Sequence, residues 1–202
     1  MNISHSVLCR IVGNALKNNS LDWRHHGVGM YQAYLHEGDE EVRVHIWHPD
    51  LILPGFNENN GIMHDHRFGF TSYVLLGAIF NEVWDGEIDP GGDWVHYACI
   101  NAREAKERGG TYHEPLGRAD GNFWSYRREG QWYNAGTHYR FEPRIFHYSK
   151  AQGLTITLVV KTHVVDGYAR ILARRDVPLV HAFEHGNDVR PEYVKLAASM
   201  LL

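Results

Sequence analysis

Apolar residues recur along this chain with two different periods. Near the N-terminus, Val7, Leu8, Ile11, Val12, Ala15 and Leu16 follow helical spacing. They predict an amphipathic helix over about residues 4–17, started by Ser4 or Ser6 and ended at Asn18-Asn19. From about residue 27 the period becomes two. Glu41 to His48 places Val42, Val44 and Ile46 on one strand face and Arg43, His45 and Trp47 on the other. Pro49-Asp50 and Pro54-Gly55 are expected to break that strand. Further strands are expected over Met63–Phe70, Thr71–Trp84, Trp94–Ile100, Thr137–Phe141, Phe146–Ser149 and Leu154–Thr162. Asp85-Gly86 and Asp89-Pro90-Gly91-Gly92 read as turns, and Asn101–Gly110 as a charged loop or short helix. Phe123–Arg127 and Gln131–Tyr133 flank Arg128-Glu129-Gly130 in the manner of a hairpin. Pro191–Leu202 predicts a C-terminal helix with proline in its first turn.

Many short strands separated by frequent turns indicate a mainly β sandwich or barrel. A jelly roll is the natural form at this length, and a mixed α+β domain is the alternative. The 202 residues show no repeat or linker and are expected to form a single domain, 1–202, with a β core over roughly 40–165. A hydrophobic share of 44% and a charged share of 22% are ordinary for a soluble protein. The net charge of −4 argues against a nucleic-acid partner, which would require a basic excess. No apolar run approaches the ~18–20 residues of a membrane span. Met1–Ser6 lacks the basic and apolar features of a secretory leader. Cys9 and Cys99 make no disulfide framework, and neither has neighbours that would activate a thiolate. A reducing cytoplasm is the expected location.

The strongest chemical signal is Gly61-Ile62-Met63-His64-Asp65-His66. Residues i and i+2 of an extended segment share a face, so both imidazoles can reach one metal ion. With 15 histidines in the chain, about one His-x-His pair arises by chance. Weight therefore comes from the residues just beyond the pair: Phe68, Phe70 and the strand Tyr73-Val74-Leu75-Leu76-Gly77. The segment resembles the first motif of the cupin superfamily. His64, His66 and Gly77 match it, Gly61 stands closer to His64 than the motif asks, and Phe70 occupies the place of the usual glutamate. Gly136, Pro143 and His147 resemble the second motif, with Ala151 in place of asparagine and Leu154–Val160 as the strand after it. The resemblance spans roughly residues 40–165. It implies a cupin-type jelly-roll β-barrel in which the two motifs meet. The long segment between them is expected to carry an extra hairpin near Trp124 and Trp132.

That resemblance implies a metal site of His64, His66 and His147. Three imidazoles without a carboxylate resemble the site of cysteine and related thiol dioxygenases, which use iron(II) and leave positions open for substrate and O2. The Ser-x-His-x-Tyr group of those enzymes has no counterpart in Thr155–Val159, so only the metal ligands carry over. Nickel, zinc, manganese and copper also suit histidine sites. If the substrate is a carboxylate, Arg67, Arg140 or Arg144 would supply a bidentate cation, and His45 could line the pocket. Glu82 reads as an exposed strand position, and the remaining histidines as surface or packing residues. The expected function is an iron(II) oxygenase of a small molecule, with O2 as co-substrate. The alternatives are a non-redox isomerase, epimerase or lyase, and a non-catalytic ligand-binding cupin. Cupins often pair as dimers, so the resemblance allows a homodimer; no nucleic-acid or membrane partner is expected.

Overall fold

A computed structural model describes residues 4–18, 21–26, 28–38, 41–52, 60–99, 115–176 and 189–202. Thirteen strands and two helices fill these residues. One sheet runs in the order β1 (Trp23–His26), β2 (Val28–His36), β3 (Val42–Ile52), β12 (Thr155–Val164), β5 (Phe68–Leu76), β10 (His138–Phe141). The other runs β13 (Ala169–Arg174), β4 (Asn60–His64), β11 (Phe146–Ala151), β6 (Ala78–Ile88), β9 (Trp124–Asn134), β7 (Trp94–Cys99), β8 (Pro115–Arg118). A further pairing of β13 with β7 closes the second sheet on itself. All the strand pairings are antiparallel, and together they form a jelly-roll β-barrel.

The first sheet is buried on both faces. Its outer face presents Tyr31, Ala33, Val44, Ile46, Leu75, Ile156 and Leu158 to α1 (His5–Lys17) and α2 (Pro191–Leu201). Val12 and Leu16 of α1 and Val194, Ala197 and Leu201 of α2 complete this layer. Each aliphatic side chain fully buried there contributes about 1.5–3 kcal/mol. The inner face carries Met30, Trp47, Phe70, Val74 and Val159 toward the second sheet. The alternation expected for Glu41–His48 is therefore present: Val44 and Ile46 face the helices, and His45 and Trp47 face inward.

Several expectations require correction. Ile11 is 53% exposed and lies off the buried stripe of α1. Ser4 occupies the N-cap without a side-chain cap bond, its hydroxyl meeting that of Ser6. Pro49-Asp50 does not end β3. The strand continues to Ile52 because Pro49 falls where the β2–β3 register slips between Met30↔Trp47 and Val28↔Ile52, so no ladder bond depends on its missing N–H. The chain leaves strand geometry at residues 65–67, which divides β4 from β5. Gly77, at φ 74°, separates β5 from β6, and a Cβ there would sit 2.5 Å from the Leu154 carbonyl. Asp85-Gly86 lies within β6. No hairpin forms at Arg128-Glu129-Gly130, nor an extra one near Trp124 and Trp132, because both stretches belong to the single long strand β9. Gly130 lies under the Phe80 ring, which would have to shift to admit a side chain there. Strands extend on both sides of 40–165, from Trp23 to Arg174. Pro54-Gly55 and Asn101–Gly110 lie outside the described residues.

Cys9 and Cys99 are unpaired, and burial pushes the Cys99 thiol up to about 12, which keeps it inert. Among the described residues no helix is long and apolar enough to cross a membrane.

Candidate metal centre

The antiparallel pairing of β4 with β11 sets His64 directly opposite His147. His66 comes two residues later, past the end of β4. The ring centroids lie 4.8 Å apart for His64–His66, 4.9 Å for His64–His147 and 5.1 Å for His66–His147. One ligand nitrogen from each residue lies within 4.8 Å of the other two. Among the described residues this is the one such cluster, and it contains no carboxylate. Glu82 stays out of it, accepting a hydrogen bond from Trp84 Nε1 at 2.7 Å.

Asp65 holds the histidine pair from behind. Its side chain is fully buried, with Oδ1 accepting from the Arg170 N–H and Oδ2 from Arg170 Nε, both at 2.7 Å. Its own N–H donates to the Arg170 carbonyl at 2.9 Å. The segment between the two histidines is thereby clamped to β13 at three points. Burial raises the Asp65 carboxyl above the usual carboxylate range, and Arg170 opposes that rise.

The cluster has the electronic form that a metal requires. His147 Nδ1 donates to the Ile145 carbonyl at 3.0 Å, which leaves the Nε2 lone pair as the ligand. Burial first, and His64 second, lower His147 to about 3. Burial, then His64 and His147, hold His66 well below its ordinary value. These rings are neutral at physiological pH, as metal ligation demands. Aromatic rings brace them: Phe68 stacks on His66 at 4.8 Å, and Phe141 lies 4.6 Å from His147.

The cluster opens onto a cavity of about 620 Å³. Val28, Met30, Trp47, Phe70 and Tyr139 give it an apolar wall. His45 lines it, and burial together with the charge of Arg43 lowers this ring to about 3. Arg67 also lines it, while one of its guanidinium N–H groups donates to the Gly167 carbonyl at 3.0 Å.

Arg140 and Arg144 do not reach the cavity. Alternation along β10 turns Tyr139 and Phe141 inward and Arg140 outward, where it pairs with Glu142 at 2.9 Å. Arg144, in the left-handed region at φ 72°, donates to the Asp166 and Tyr168 carbonyls and pins the turn after β12. The cations that do line the cavity with Arg67 are Arg24, Arg43 and Lys161. Sequence reasoning missed these three as site residues. The signal for Arg43 was present, since it shares a strand face with His45, and Lys161 continues the inner face of β12 through Thr157 and Val159.

The two-sheet jelly roll, with paired histidines beside a third on the neighbouring strand, has the fold of a cupin-type jelly-roll β-barrel. No protein-family model and no curated protein matches the sequence. Among solved structures, the hydroxypropylphosphonic acid epoxidase from S. wedmorenis aligns at 13% identity and a TM-score of 0.36, over 66% of this chain and 50% of that one. A tryptophan-to-tyrosine variant of oxalate decarboxylase from Bacillus subtilis aligns at 12% and 0.34, over 66% and 25%. The E. coli protein ycfD aligns at 13% and 0.34, over 85% and 47%. The chain thus spans half or less of each of these proteins.

Proposed function

We propose that this protein is a mononuclear metal enzyme that uses iron(II) and O2 to oxidise a small molecule. The observation that carries the reading is the convergence of three imidazoles, without a carboxylate, on the wall of a cavity of about 620 Å³. Iron(II) held there supplies the one-electron chemistry that O2 requires. His64, His66 and His147 hold the ion, and Asp65 keeps the first two in register with the third. Phe68, Phe70 and Phe141 exclude water from the rings. Nickel, zinc, manganese or copper would bind the same donors, so elemental analysis comes first. Anaerobic loading with iron(II), then oxygen uptake against a panel of small acids and thiols, tests the reaction. Tight iron binding with no oxygen consumed on any substrate would overturn it.

A second reading has its own support. His45 is neutral, and its buried Nε2 has no partner, while Tyr139 lies on the same cavity wall. These two groups could exchange protons with a substrate in an isomerase or lyase in which the metal only polarises a carbonyl. Turnover that persists without O2 would select this reading.

A further inference from the structure

We infer that the cavity takes a small molecule with an apolar body and a single oxyanion head, and that Glu41 occupies the place of that head in the ligand-free protein. The inference rests on the proposed metal-enzyme reading and narrows its substrate class. Arg24, Arg43, Arg67 and Lys161 line the cavity, and Glu41 is the one carboxylate that lines it among the described residues. Glu41 is shared between two of these cations. It accepts from the Arg43 guanidinium and lies 3.5 Å from Lys161 Nζ. All three side chains are at most 20% exposed. Arg43 and Lys161 thus place two cations on the single carboxylate of Glu41 in a partly dry pocket, which favours a further negative charge there. A planar carboxylate or a phosphonate matches the fork of Arg43 as Glu41 does.

The rings fix where the head sits relative to the histidines. Phe68 stacks on His66, while the Arg43 guanidinium and Lys161 Nζ approach the same ring at 5.2 and 5.1 Å from its centroid. Tyr34 supports Arg43 from another side at 5.0 Å. The anion grip therefore stands one aromatic ring away from the metal cluster. A second observation points independently to a ligand. His45 lies between Arg43 and Trp47 on the inner face of β3, is 8% exposed, and has a buried Nε2 without a hydrogen-bond partner. Buried polar atoms of this kind are normally satisfied, and a polar atom of the bound molecule would satisfy this one.

The test is calorimetric titration of the full-length, metal-free protein with benzoate, phenylphosphonate and the neutral benzamide. One of the two anions should bind at least about 10-fold more tightly than benzamide, and the better of them names the head group. Glu41→Gln should tighten anion binding by about 5- to 10-fold, because the internal competitor is gone, and leave benzamide unchanged. Arg43→Met should weaken anion binding at least about 10-fold. If Arg43→Met lowers the thermal midpoint, Lys161→Met serves as the second variant and should weaken binding in the same sense. Equal binding of benzamide, no binding of either anion, or weaker anion binding by Glu41→Gln would overturn the inference. The titration uses no metal, so a protein that failed to hold iron would still decide it.

Discussion

The two faces of the second sheet each bury histidine, and they do opposite things with it. On the inner face His64 and His147 look across a ladder at one another and into open space. On the outer face His96 is 1% exposed and closed in by rings. Trp124 stacks on it at 4.4 Å, Phe146 lies at 4.9 Å, and its Nε2 is 2.5 Å from the Tyr126 hydroxyl. Its Nδ1 faces the Asp120 carboxylate at 3.2 Å without hydrogen-bond geometry. Burial is the largest cause of a lowered pKa on both faces, giving about 4 for His96 and about 3 for His147. A depressed imidazole is thus no marker of a site in this protein. What distinguishes the inner face is convergence of lone pairs beside a void, where the outer face has stacked rings and a hydroxyl.

The largest expected contrast is in metal retention. His147→Ala should lose the bound metal, lowering affinity by more than about 100-fold, since even outer partners of a ligand are worth about 10- to 100-fold. His96→Gln should retain it. Elemental analysis after dialysis decides, and loss of metal from the His96 variant would erase the distinction between the faces. Stability should show the reverse ranking. Trp94 packs edge-on to Trp84 at 4.8 Å within the buried core, so Trp94→Ala should cost about 3–5 kcal/mol in denaturant melts while metal content stays unchanged. Asp65 links the faces. Asp65→Asn removes the buried charge that Arg170 grips behind the histidine pair, so it should lower both stability and metal affinity, read in parallel by urea melts and metal titration.

Acid should act with one sign on the buried imidazoles of both sheets, His45 in the first and His96 in the second. His45 and His96 have folded-state values near 3 and 4, below the ordinary 6.5. As pH falls below about 6.5 the unfolded chain takes up protons that the folded rings refuse. The stability present above that value is lost progressively toward about pH 4 for His96 and about pH 3 for His45. Each ring contributes at most about 1.4 kcal/mol per pH unit. His96→Gln should flatten the slope of stability against pH between about 6 and 4, measured by urea melts. The smallest effect is expected at Arg140. Its pairing with Glu142 is more than half exposed, so Arg140→Ala should shift stability by less than about 1 kcal/mol and leave anion binding in the cavity unchanged.

The legible part of this molecule was whatever alternation alone determines. The two-faced pattern of Glu41–His48 placed His45 inward, and His64, His66 and His147 could be grouped through a motif resemblance that β4–β11 pairing now explains. Errors arose where a local signal was overruled by tertiary contact. Pro49 and Gly86 read as breakers, yet each lies inside a strand. Gly86 lies under the Tyr126 ring, which a side chain there would displace, and that neighbour belongs to a different strand, β9. Arg140 and Arg144 were close to the ligands in sequence, but strand parity and a left-handed turn direct them elsewhere. Among the cations at the cavity, Arg43 comes from a separate strand, brought near His66 by the β3–β12–β5 order. The outer aromatic cage required a sheet closing through β13 and β7, which no local pattern announces.

The double burial of β3 divides its positions into two independent vocabularies. At Val44 and Ile46 a substitution edits the seam with the helices, and at Arg43, His45 and Trp47 it edits what the barrel can accept. Odd-numbered positions along this stretch can therefore be diversified for new ligand preference while the even ones are held fixed. One strand offers a ready library for retargeting the barrel without unseating its helical backing.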